Sequence, residues 1–296
     1  MKQIARPFRR LAVVAVATAA GLAAVPAAAG VRVSVQDRDV ARLVSLGGSC
    51  NRCELSGRNL SGATFTGATF MSATLVGANL RGAELTGSNF SSSDFSRGDL
   101  RGAEMSGSNF SSAIFSDTNL TGVSASGAVF SRSNLIRANL SSSELSGANM
   151  NGAILSSANF TSAEMFGVTL ANVNARAASF RNAEVAASNL GAGDFSSADF
   201  RNATLDGSRL SRGQFSRANF NGASLRRTDI RGADLSGALG LTQSQVSEAC
   251  GDDTTRLPRG LTASACRSRM TVRVAPPRPP SPPVPPVQRQ LLLAQD

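Results

Sequence analysis

The chain contains no histidine, no tryptophan and no tyrosine, and a single lysine stands against 29 arginines. Without histidine there is no Ser-His-Asp or Cys-His arrangement, and the commonest general base is missing. The usual nitrogen ligand of zinc is missing too. Serine is abundant, but as solvent-facing corner filler. Long apolar runs are confined to the first 29 residues, where Lys2, Arg6, Arg9 and Arg10 precede an uncharged Ala/Val/Leu stretch ending in Pro26-Ala27-Ala28-Ala29. That is the pattern of a cleavable secretory signal, with cutting expected after Ala29. It implies a periplasmic or secreted protein with no transmembrane segment once the signal is removed. Arg9-Arg10 alone does not make a twin-arginine signal, because Ala12 and Val13 follow where stronger hydrophobes are expected.

The dominant feature is a period. Every fifth residue from Leu55 to Leu235 is apolar, 37 positions without a break, and two residues before nearly every one stands a small residue, most often Ala, with Arg58 before Leu60 the clear exception. A spacing of five fits neither the 3.6 of a helix nor the 2 of a strand, so each pentad must turn a corner. The pattern A-(N/D/E)-(L/F)-x-(G/S), as in Ala83-Glu84-Leu85-Thr86-Gly87, resembles the pentapeptide-repeat family over residues 53–239. The resemblance implies an all-β fold, a right-handed quadrilateral β-helix in which four pentads make a coil of 20 residues. The phenylalanines support that number. Among the 13 at core positions, eight pairs lie 20 apart, which would stack ring upon ring. Thirty-seven pentads then give about nine coils and, at about 4.8 Å per coil, a stiff rod roughly 45 Å long. Short helical caps are expected at both ends.

The flanks divide the chain further. Residues 30–54 read as an N-terminal cap, with Val31, Val33 and Val35 alternating as in a strand and Val40, Leu43 and Val44 spaced as on a helix face. Residues 55–239 form the solenoid and 240–266 a C-terminal cap, in which Thr242 and Gln245 make a capping box and Leu241 can staple to Val246. From 267 to 296 the chain is rich in proline and arginine, an extended tail that cannot pack a core.

The net charge of +10 would suggest nucleic acid until it is located. The signal carries +4, the tail five Arg and one Asp, and only +2 remains for residues 30–266. The rod is therefore neither a basic nucleic-acid groove nor an acidic duplex mimic. In an exported chain four cysteines suggest two disulfides, and Cys50 with Cys53 and Cys250 with Cys266 share opposite ends of the rod. That separation excludes one four-sulfur zinc site. A redox role for Cys50-Asn51-Arg52-Cys53 would need a βαβ setting that is absent. No cofactor or metal is implied.

Two surface constellations stand out. Arg81 with Glu84, Arg101 with Glu104 and Arg181 with Glu184 flank corners, where each Arg can reach the Glu around the bend. Glu144 and Glu164 have Ser141 and Thr161 in place of the Arg, which leaves that stretch negative. Outward positions are otherwise small or polar, so Ile114, Ile136 and Ile154 stand out. Twenty-residue phasing puts them on one wall in consecutive coils, with Val76 two coils from Ile114 and with Arg97 and Arg137 alongside. They form a candidate contact patch. The functional expectation is an exported, non-enzymatic scaffold that meets an unidentified protein or cell-envelope partner, or a second copy as a homodimer. The alternatives are a cytoplasmic DNA-mimicking, gyrase-protecting protein and an unrecognised enzyme. The former needs a strongly acidic surface and no export signal. Ice binding would need rows of threonine, and Thr64-Phe65-Thr66 begins one that the next coil, with Glu84, does not continue.

Overall fold

The computed structural model describes residues 48–266. The expected signal segment, the strand and helix of the N-terminal cap up to residue 47, and the proline-rich tail lie outside the described residues.

Each pentad does one job. The fifth-position residue points inward and is buried from Leu55 to Leu235, and the residue two before it is buried too except at Arg58. The outward residue between them makes a parallel bridge to its equivalents 20 residues away, as in Asn79 to Asp99. Four such ladders bound the rod. Face 1 runs from Glu54 to Arg256, face 2 from Asn59 to Leu239, face 3 from Thr64 to Ser224 and face 4 from Ser49 to Cys250. Successive coils are joined by amide bonds such as Leu80 N–H to Asp99 O (2.7 Å) and Gly82 N–H to Arg101 O (3.0 Å).

The corner is a type II turn, which requires positive φ at its second central residue. All 37 corner residues from Arg52 to Gly232 have it, and 21 of them are not glycine, with φ between 53° and 60°. Left-handed backbone costs a residue with a Cβ of order 1 kcal/mol, so coil-to-coil bonding and core burial hold these corners against local preference. At Gly222 a Cβ would meet Asn202 Oδ1 at 2.3 Å, so a larger residue there requires the Asn202 side chain to swing aside.

Inside, all eight phenylalanine pairs spaced by 20 stack face to face, with centroids 4.7–5.6 Å apart and ring planes within 2–13° of parallel. Phe70, Phe90, Phe110 and Phe130 form one column, and Phe160, Phe180, Phe200 and Phe220 another. Where serine or threonine replaces the inward alanine, its hydroxyl donates to a backbone carbonyl, either of the coil before, as Ser93 Oγ does to Phe70 O (2.6 Å) and Thr118 Oγ1 to Phe95 O (2.8 Å), or of its own corner, as Ser133 Oγ does to Phe130 O (2.6 Å) and Ser143 Oγ to Leu140 O (2.6 Å). No buried side-chain polar atom among the described residues lacks a partner.

At the far end, helix α1 (Gln243–Glu248) crosses the open coil. Thr242 caps it, Thr242 and Gln245 complete a capping box, and Val246 is wholly buried beneath it. Leu241 is half-buried against the core. Faces 1 and 4 carry on past the helix through Arg256 and Cys250.

The coil of Ala175, Phe180, Val185 and Leu190 is the least filled. Two opposing core residues are undersized, and its corners are Asn172, Ala177, Asn182 and Ala187, all at positive φ. At 168 and 188 the corner amides donate to the hydroxyls of Ser188 and Ser208 (2.9 Å each). Fewer dispersion contacts and four strained corners make this coil the weakest layer. We therefore expect amide hydrogen exchange among the interior coils to be fastest over 171–190, read by proteolysis and mass spectrometry; slowest exchange there would contradict the packing argument.

Candidate functional site

The rod is convex, so its chemistry lies on its walls. On face 1, Ile114 and Ile154 are outward rungs 37% and 39% exposed, separated by Asn134. Ile136 lies beside Asn134, half-buried, and its amide donates to Asn134 Oδ1 (3.1 Å). Val76 is half-buried on the same face. The adjoining corner holds a two-pronged ion pair, Arg137 Nε and Nη2 to the Asp117 carboxylate at 2.6 and 2.7 Å. The hydrogen bond from Arg137 holds the Asp117 carboxyl below its ordinary pKa. Arg137 therefore flanks the isoleucines as half of a closed pair. Arg97 beside it is exposed.

Two of the three arginines expected to reach corner glutamates, Arg101 and Arg181, turn elsewhere. Arg101 binds Asp99 through Nε (2.8 Å) and Nη2 (2.5 Å). Arg181 lies 4.0 Å from Asp199, which Arg201 also holds at 2.6 Å. Residues either side of a core position project from one face, so Asp99 and Arg101 lie side by side, whereas Glu104 is carried past the corner onto the next wall. The sequence signal is Asp-apolar-Arg, which recurs in Asp199-Phe200-Arg201 and Asp229-Ile230-Arg231 with the same two-pronged contact. The hydrogen bonds from Arg101 and Arg231 hold Asp99 and Asp229 below the usual carboxylate range. Arg81 has its amide bonded to Asn79 Oδ1 (3.2 Å).

Face 3 is consequently left with its glutamates and no arginine bound to them among the described residues. Glu84 bridges Glu104, and Glu144, Glu164 and Glu184 form a continuous column. Glu84 accepts from Thr64 Oγ1 (3.1 Å) and Glu144 from Ser124 Oγ (3.2 Å). Like charges about one rung apart repel by roughly 1 kcal/mol per adjacent pair even in water. Beside the middle carboxylate stands Phe166, 56% exposed, the most exposed large apolar side chain among the described residues. Reasoning from β-branched outliers missed it; the signal is simply a phenylalanine one step off the period.

Cys50 and Cys53 are joined by a disulfide, as are Cys250 and Cys266, with Cα–Cα separations of 5.5 and 4.4 Å. Asp229 lies close to Cys250 and Cys266, but their sulfurs are spent in the disulfide, so this trio offers no thiolate. Shallow hollows of about 220 and 380 Å³ near Gly232 are lined by Arg209, Arg212, Asp252 and Arg256. The hydroxyl–carboxylate contact in their lining, Thr254 Oγ1 to Asp252 Oδ1 (2.7 Å), is exposed to solvent and belongs to the turn at 252–255.

Four ladders, a corner every fifth residue and a one-residue-thick wall define a β-solenoid with a filled core. The family model for pentapeptide repeats matches in eight copies spanning residues 49–237, and the chain belongs to the pentapeptide-repeat family. Its members fold as right-handed quadrilateral β-helices. Among solved structures, the chain is similar to HetL, a pentapeptide repeat protein involved in heterocyst differentiation regulation from the cyanobacterium Nostoc sp. strain PCC 7120. Identity is 27% over 70% of this chain and 92% of that one, with a TM-score of 0.48. It is also similar to QnrB1, a plasmid-mediated fluoroquinolone resistance protein, at 20% identity over 70% and 92% of the two chains, TM-score 0.47. A third similar structure is a pentapeptide repeat protein of the Arabidopsis thaliana thylakoid lumen, 26% identical over 38% and 68%, TM-score 0.24. No curated protein matches the chain.

Proposed function

We propose that the protein is an exported, non-enzymatic scaffold whose rigid walls dock another macromolecule, a protein or cell-envelope component. The observation that carries this reading is the dry spot on face 1, where Ile114 and Ile154 are exposed on a wall otherwise made of polar rungs. A stiff rod presents such a patch without ordering cost, because its backbone is already fixed by coil-to-coil bonds. Export accounts for the signal-like residues 1–29 and suits the two disulfides, which persist in oxidising compartments. On this reading residues 30–54 cap the first of about nine coils, 240–266 cap the last, and 267–296 serve as spacer or tether. A homodimer through face 1 is the simplest use of the patch.

A gyrase-directed duplex mimic finds little support in the charges. Residues 48–266 carry 18 Arg against 17 acidic groups, and the carboxylate column of face 3 offers one charge per about 4.8 Å where duplex DNA offers one per about 1.7 Å.

The test joins compartment to contact. In native material the mature chain is expected to begin at Gly30, to fractionate with the cell envelope or medium, and to show no thiol reactive to labelling. The triple substitution Ile114→Ser, Ile136→Ser, Ile154→Ser should weaken self-association or partner recovery about tenfold or more while leaving the thermal midpoint unchanged, since none of the three lies in the core. A full-length chain with four reactive thiols would remove export. Sedimentation and pull-down unchanged by the triple substitution would remove the patch.

A further inference from the structure

We propose that face 3 between Glu144 and Glu184 is a docking wall for an extended, arginine- or lysine-bearing segment of a partner protein, with Phe166 as its aromatic anchor. The proposal deepens the scaffold reading and rests on it only for the existence of a partner; the binding it describes can be measured in vitro whatever the compartment.

Two independent features converge on this wall. The first is Phe166. The 13 phenylalanines at core positions are buried, yet this ring stands 56% exposed one residue after Met165. Its equivalents in the coils on either side are Ser146 and Ala186, and the corner beside it is Gly167. The ring therefore rises from a floor of small residues with both of its surroundings open, the setting in which a planar cation can lie over an aromatic face. The second feature is charge. Arg181, at the adjoining corner, leans towards face 2, where it lies 4.0 Å from Asp199, no arginine among the described residues bonds these glutamates, and Glu144, Glu164 and Glu184 bridge one another in a straight row. The row is rigid, because each glutamate is a ladder rung whose amide and carbonyl are both fixed, Glu164 N–H to Ser143 O and Met165 N–H to Glu184 O.

Charge complementarity selects the occupant. A second copy laid on this wall would set carboxylates against carboxylates, and nucleic acid would be repelled. A neutral apolar peptide would use the ring but leave the glutamates desolvated and unpaired. A guanidinium- or ammonium-bearing segment satisfies both, one cation over the ring and others along the row, with partner carboxylates supplied every rung. Residues of an extended chain alternate in direction, so a segment with basic residues at every second position can present them all to one wall.

The experiment is calorimetric titration of the disulfide-intact protein with hexa-arginine and hexa-lysine peptides at about physiological salt, where exposed charges more than about 8 Å apart are screened. The triple substitution Glu144→Gln, Glu164→Gln, Glu184→Gln should weaken binding about tenfold, and Phe166→Ser about three- to fivefold, the usual worth of an exposed cation–π contact. Glu84→Gln with Glu104→Gln, on the same face but away from the ring, should leave the affinity within about twofold. Circular dichroism checks that each variant folds, which surface positions on this rod permit. Equal loss from the Glu84/Glu104 pair would show diffuse charge attraction and overturn the proposal. So would unchanged binding in Phe166→Ser, or in the triple glutamine variant, or no binding by the unaltered protein.

Discussion

Phe110→Ala is expected to destabilise the rod by about 3 to 5 kcal/mol, the range for emptying a fully buried aromatic site. Phe110 stacks on Phe90 and Phe130 at centroid distances of 5.6 and 5.2 Å and meets Phe95 and Phe115 edge-on at 5.9 and 5.4 Å. Each such pair adds about 0.5 to 1.5 kcal/mol beyond area burial, so this ring loses more on truncation than a leucine in the same column. The surrounding layers cannot collapse to close the cavity, because every neighbouring core residue hangs from a corner fixed by coil-to-coil amide bonds. In a solenoid the loss falls on two layer interfaces and divides the rod at that point. Urea unfolding followed by far-ultraviolet circular dichroism gives the size, and hydrogen exchange should show faster opening near residue 110 than near 200. Phe166→Ala is the control, since an exposed ring supports no layer. A loss under about 1 kcal/mol for Phe110→Ala would mean that the stacked column is not what joins the coils.

The core was legible because its physics is periodic. A spacing of five identified the inward residue, and phenylalanines 20 apart identified the coil, since identical flat side chains placed one above another can only stack. Those two regularities need no knowledge of rotamers. What the sequence did not reveal depends on directions at corners. Arg101 and Glu104 are three residues apart and look paired on paper, but the bend carries them to adjacent walls, and the carboxylate beside Arg101 is Asp99. Twenty-one corners without glycine hold the left-handed conformation all the same, because neighbouring coils impose it. Of the candidate surfaces, the isoleucines of face 1 could be found as departures from a polar pattern. Phe166 escaped because phenylalanine is the expected core residue, and only its offset of one position distinguishes it. That its wall carries glutamates free of arginine depends in turn on where Arg181 points, which periodicity does not encode.

Gln245→Glu, a change of one atom type in one side chain, is expected to cost about 2 to 4 kcal/mol at the C-terminal end. Gln245 is half-buried, and its amide uses both ends. Oε1 accepts from the Thr242 amide (2.8 Å) and hydroxyl (2.9 Å), and Nε2 donates to Phe220 O and Ala223 O (2.8 Å each). The side chain thus caps its own helix and also satisfies carbonyls of the last coil. A carboxylate keeps the first role and reverses the second, setting negative oxygen against two carbonyls. That environment favours the neutral acid, so the folded-state pKa of the introduced group should rise above its usual value of about 4.3. An acid with a raised folded pKa imposes its full penalty above that pKa, and the penalty shrinks as pH falls through it, when a proton restores one donor. The variant should therefore lose stability as pH rises from 4 to 7. Ser244→Glu places the same charge in the exposed first turn, where the helix dipole favours it, and should show no such loss. Once α1 lifts, the rungs it shields become a free edge, and sedimentation should report larger species for Gln245→Glu at neutral pH. Matching behaviour of the two glutamate variants across this range would show that the contacts of Gln245 with Phe220 and Ala223 do not hold the cap.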